Sequence, residues 1–75
     1  MTDMETNTRR QTHFPTMQPA ELRAAREEMG LTQQEAADRY ELSLPGYKKY
    51  ELGLRPIPGP VRLLTAFFLQ KHRKL

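Results

Sequence analysis

Seventy-five residues are enough for one domain and sit near the lower size limit for a self-sufficient core. The absence of cysteine excludes disulfides and thiolate metal sites, and the longest apolar run, Leu63-Leu64-Thr65-Ala66-Phe67-Phe68-Leu69, is far too short to cross a bilayer. The net charge of +3 conceals an uneven distribution, because residues 19–42 hold three arginines against six acids while the chain after Ser43 sets seven cations against Glu51 alone.

That second half, at +6, has the electrostatic footprint of a phosphate-binding surface. The competing account is a set of solvated helix faces, above all for the terminal Lys71-His72-Arg73-Lys74 cluster.

In chain order, residues 1–15 are polar, Thr-rich and without periodicity, and are expected to be a flexible arm. Asp3 and Glu5, with no apolar core beside them, argue against a signal peptide, so a cytoplasmic location is expected. Arg9 and Arg10 suit either a minor-groove arm or a solvated tail. Residues 16–75 read as one helical domain. Its first helix starts near Pro19, ends at Gly30 and turns Leu22, Ala25 and Met29 inward.

Thr32 and Glu35 form a capping box that starts a second helix, with Ala36, Ala37 and Tyr40 on one face. Leu42 returns toward the core. Ser43 caps a third helix with Pro45 in its first turn; Tyr47 and Tyr50 make its buried stripe and Gly53 its stop. Two helices this short, joined by so tight a turn, cross steeply, and Ala37 is the small residue that admits close contact. Pro56, Pro58 and Pro60 then force an extended loop. A last helix runs from about Pro60 to His72. Val61, Leu64, Phe67 and Phe68 lie on or near one face of it, widened by Leu63 and Leu69. This is more apolar surface than a four-helix domain hides, so a symmetric dimer seam is expected there. The plainer alternative is core with a few exposed apolar groups.

Arg26, Gly30-Leu31-Thr32-Gln33, Ala37, Ser43, Tyr50-Glu51, Gly53 and Pro58 stand in the register of a known pattern. From about Leu22 to Leu64 the chain resembles the Cro/phage-repressor type of helix-turn-helix. The resemblance implies an all-α, four-helix domain of the lambda-repressor-like type that binds double-stranded DNA. Two departures stand out. Glu41 occupies the place of the usual glycine, where positive φ is wanted, and Leu44-Pro45-Gly46 replaces the polar residues that open most recognition helices.

The resemblance implies roles residue by residue. Gln33, with the exposed Gln34 beside it, meets phosphate at the start of the second helix. Ser43 caps the recognition helix and reaches a phosphate. Leu44, Pro45 and Gly46 enter the major groove first, Leu44 against a thymine methyl and Gly46 for close backbone approach. Lys49 stands where the family commonly reads bases, and Lys48 beside it meets phosphate. Arg55 and the amides near Gly59 and Val61 clamp the backbone. Arg26 and Glu51 correspond to the internal ion pair joining the first helix to the recognition helix. Tyr47 and Tyr50 are core residues rather than stacking platforms.

The expectation is therefore a homodimeric repressor that binds an inverted-repeat operator, with half-sites ~34 Å apart, and controls its own operon as regulators of phages and mobile elements do. Two other readings stay open: an antitoxin whose N-terminal arm binds a toxin, and a protein-interaction module that has lost DNA binding. Catalysis is not expected. His13 and His72 have no partner at catalytic or metal-ligand spacing, and the glycines make no phosphate-binding loop, so no cofactor or metal is implied.

Overall fold

A computed structural model describes residues 16–74, and every element in that span is helical. The chain runs through α1 (Pro19–Glu28), α2 (Gln33–Arg39), α3 (Leu44–Leu52) and α4 (Gly59–Arg73). The fold is all-α, as the sequence implies, and no strand occurs among the described residues. Residues 1–15, with Arg9 and Arg10, lie outside them.

The helix starts follow from local chemistry. Thr32 Oγ1 accepts from the Glu35 amide at 3.1 Å and Glu35 Oε1 accepts from the Thr32 amide at 2.9 Å, which closes the capping box of α2. Ser43 Oγ accepts from the Gly46 amide at 3.1 Å and caps α3. At α1 the Glu21 carboxylate accepts from the Gln18 amide at 2.7 Å, ahead of Pro19 in the first turn. Pro58, in extended conformation, precedes α4.

The first three helices stop in the same way. Each is followed by a residue of positive φ: Gly30 at 71°, Glu41 at 59° and Gly53 at 76°. The next amide in each case returns to a carbonyl five residues back, Leu31 to Arg26 at 3.1 Å, Leu42 to Ala37 at 2.8 Å and Leu54 to Lys49 at 2.9 Å. This is the Schellman closure, and the residue after the turn is a leucine every time. Leu31 and Leu42 pack against the core, as the motif favours. Leu54 remains 72% exposed.

Leu22, Ala36, Ala37, Tyr40, Tyr47, Tyr50 and Val61 form the core, with Met17, Leu31, Leu42, Ile57 and Phe68 closing its sides. Ala37 is fully buried, in keeping with its expected place at the helix contact. Tyr40 stacks on Tyr47 with ring centroids 5.9 Å apart and meets Phe68 at 5.5 Å in a tilted arrangement. Thr65, also fully buried, donates its hydroxyl proton to the Val61 carbonyl at 2.7 Å. The Tyr40 hydroxyl must therefore be the donor to Thr65 Oγ1, at 2.5 Å. That bond ties α4 to the end of α2.

Two of the four residues expected at a dimer seam belong to this core. Val61 is buried, and Phe68 is half-buried against Tyr40. The exposed large apolar groups of α4 are Leu63, Leu64 and Phe67. Thr65, buried beside Val61, sets the inward face of α4, so Val61 and Phe68 lie on its core side.

Glu41 carries a left-handed backbone that costs a side-chain-bearing residue about 1–2 kcal/mol. Glu41→Gly relieves this but adds backbone freedom to the unfolded chain, for a net gain of roughly 0.5–1 kcal/mol. Thermal unfolding should therefore move up by a few degrees; an unchanged or lower midpoint would contradict the assigned turn.

Candidate nucleic-acid interface

The recognition helix, α3, has two unlike faces. Tyr47, Tyr50 and Glu51 point into the protein; Pro45, Lys48, Lys49 and Leu52 are exposed on the other side. The outer face can meet a ligand only because the inner one is fastened, and the fastening centres on a buried carboxylate.

Glu51 is 3% exposed. Arg26 on α1 donates through Nε to Glu51 Oε2 at 2.7 Å and through a terminal nitrogen to Oε1 at 3.3 Å. Tyr47, one turn earlier on α3, donates its hydroxyl to Oε2, and Gln33 on α2 donates from Nε2 to Oε1 at 3.1 Å. Arg23 approaches Oε1 at 3.8 Å, and Arg26 also donates to the Leu31 carbonyl at 3.0 Å. One carboxylate thus joins α1, α2 and α3.

Burial pushes the Glu51 carboxyl up, but the hydrogen bonds from Arg26, Tyr47 and Gln33 outweigh it and hold it below the ordinary carboxylate range. The hydrogen bond to Glu51 raises Arg26. Burial, reinforced by the bond to Glu51, pushes the Tyr47 phenol far above its ordinary value. The cluster holds an ionised acid and a neutral phenol at neutral pH.

The residues expected to meet DNA are distributed around this anchor. Lys48 and Lys49 are exposed on α3, and Arg55 is exposed in the loop that follows it. Ser43 and Pro45 are exposed at the start of α3, between which Leu44 is half-buried. Gly46 is half-buried; a Cβ there would stand 3.0 Å from Ser43 Oγ and press on the cap. Gln34 is exposed and donates to Asp38 at 2.9 Å. Gln33 has one amide hydrogen committed to Glu51, which leaves the second for an outside acceptor.

The expected Arg26–Glu51 pair forms. Sequence reasoning missed Gln33 and Tyr47 as its partners and missed Thr65. Tyr47 and Glu51, four residues apart on one helix, carried a readable signal. Gln33 is 18 residues from Glu51 and Thr65 lies within an apolar run, so neither had one. A second ion pair closes the far end of the domain: Arg73 on α4 donates to both carboxylate oxygens of Glu28 on α1, at 2.6 and 2.9 Å. Arg73 is thereby withdrawn from the free cations of the terminal cluster.

A helix-turn-helix family model matches residues 22–64, more than half of the chain. The chain belongs to the helix-turn-helix family, in its Cro/repressor-type branch. No curated protein and no solved structure gives a match. The matched span of this helix-turn-helix domain begins at Leu22, at the floor of the core, and contains the whole Glu51 cluster. Membership makes the protein a DNA-binding regulator, in a family that is typically non-enzymatic. No helix among the described residues is long and apolar enough to cross a membrane.

Glu51→Gln removes the charge that faces Arg26 and should cost about 3 kcal/mol at pH 7. The folded carboxyl titrates below the unfolded one, so its stabilisation is complete above the ordinary carboxylate range and is lost as pH falls through the folded value. Urea unfolding between pH 7 and pH 3 should show the gap between parent and variant closing with acid. A gap that stays constant would mean that the Glu51 charge is not what stabilises the cluster.

Proposed function

We propose that this protein is a homodimeric repressor that occupies an inverted-repeat operator through the major groove. The observation that carries the reading is the pair Lys48 and Lys49, exposed on α3 opposite the Tyr47, Tyr50 and Glu51 anchor. Lys49 reads a base edge, with guanine O6/N7 the suitable acceptor, and Lys48 takes a phosphate. Arg55, Gln34, Ser43 and the free amide hydrogen of Gln33 hold the backbone on either side. Leu44, Pro45 and Gly46 enter the groove as a nearly apolar tip suited to a thymine methyl and to close backbone approach.

Self-association uses the outer face of α4. Leu63 at 59%, Leu64 at 40% and Phe67 at 53% exposure supply its apolar groups, while Val61 and Phe68 support them from the core. Two copies double the contacts that one short recognition helix makes, and specific binding by so small a unit needs that gain. Control by protein concentration, and hence autoregulation of an operon of phage or mobile-element type, suits such a unit.

A second reading rests on Leu52 and Leu54, which are 65% and 72% exposed beside the same lysines. They favour a protein partner on that face, as an interaction module that has lost DNA binding would have. Selection of binding sites from a random duplex pool separates the readings. A palindromic consensus supports the repressor, and no enrichment supports the protein-binding alternative.

On the selected site Lys49→Ala should lose ~1–3 kcal/mol and relax the preference at one position per half-site. Equal loss on random DNA would instead make Lys49 a phosphate contact. Leu64→Glu should leave the fold intact and convert the dimer to monomer in sedimentation. An unchanged dimer would move the seam off α4.

A further inference from the structure

The ends of α1, α2 and α4 enclose a groove of about 510 Å³, lined by Met29, Arg39, Phe67, Phe68, Lys71 and His72 and by no residue of α3. This volume falls within the range of small-molecule sites, roughly 300–1,000 Å³. Its floor is apolar and its rim cationic. The Phe67 and Phe68 rings meet at 6.0 Å, with Met29 from the end of α1 beside them. The Arg39 guanidinium lies 5.7 Å from the Phe68 centroid, and the Lys71 ammonium 5.6 Å from that of Phe67. Each cation is thus held over a ring at the groove wall by a cation–π contact.

Within the described residues neither Arg39 nor Lys71 joins an ion pair, whereas the neighbouring Arg73 is taken by Glu28. The groove therefore combines an apolar floor with two exposed cations that make no ion pair among the described residues. A neutral ligand leaves their donors unanswered, and a bare inorganic anion leaves the aromatic floor wet. We infer that this groove is a binding site for a small amphipathic organic anion: a carboxylate or sulfonate whose aromatic or aliphatic body lies on Phe67 and Phe68 while its charge bridges Arg39 and Lys71.

The groove touches α2 through Arg39 and the outer row of α4 through Phe67. If the α4 face is the dimer seam, occupancy and self-association share the Phe67 ring, which gives a ligand a route to the DNA-binding form. The site itself does not depend on that reading.

Anilinonaphthalene sulfonate is a suitable probe, with its neutral counterpart N-phenylnaphthylamine as control. Backbone-amide NMR titration of the full chain should give saturable, one-to-one binding with shifts centred on Met29, Arg39, Phe67, Phe68, Lys71 and His72. The Arg39→Gln/Lys71→Gln double variant removes both cation–π contacts and should unfold a few degrees lower, still cooperatively, while binding the sulfonate about tenfold more weakly. The neutral probe should bind the parent weakly and the double variant equally so. Equal affinity of the parent for both probes, an unchanged affinity in the double variant, or shifts centred elsewhere would overturn the site. Run beside the parent on the Leu64→Glu variant, whose substitution lies outside the groove lining, the titration separates an absent site from one covered by a second copy, and its outcome there holds whether or not the protein is a repressor.

Discussion

The structure depends on one buried charge. A carboxylate with the exposure of Glu51 costs several kcal/mol to desolvate, and it is tolerated only where its oxygens are fully hydrogen-bonded. Arg26, Tyr47 and Gln33 meet that demand from three helices. A shift of any of these helices strands the charge, so the cluster sets their mutual positions more narrowly than apolar contact alone. With a core of only eight buried apolar side chains, three of them alanines, that constraint matters.

Orientation at the surface follows from it. Glu51 and Tyr47 lie on the inward side of α3, and fastening that side turns Lys48 and Lys49 to solvent. Gln33 belongs to both settings, since its side chain completes the cluster and retains a second amide hydrogen that the cluster does not use. The bond from Tyr40 to Thr65 does for α4 what Glu51 does for α3, fixing which residues turn inward and leaving Leu63, Leu64 and Phe67 outside.

Most of the architecture was legible where the physics is local. The Thr32–Glu35 box, the Ser43 cap and the stops at Gly30 and Gly53 depend on residues within a turn of one another, and each forms. Glu41 shows why the backbone had to take positive φ even without glycine: α2 closes by the same six-to-one hydrogen bond as α1 and α3. What depends on distant packing was not legible. The face of α4 is decided by Thr65, a polar residue that counts against burial until its partner on Tyr40 is known. The direction of the Gln33 side chain likewise depends on a carboxylate that only the fold brings near. The groove floored by Phe67 and Phe68 is assembled from the ends of three helices and has no linear signature.

Recognition of particular DNA by the outer face of α3 can be tested by fluorescence-anisotropy titration. The duplex just upstream of the protein's own gene would be compared with a scrambled duplex, each at two salt concentrations. The expected result is a preference of ~10³-fold or more for the upstream duplex, with affinity for both falling steeply as salt rises. Absence of binding to either duplex at low salt would contradict DNA recognition by this face.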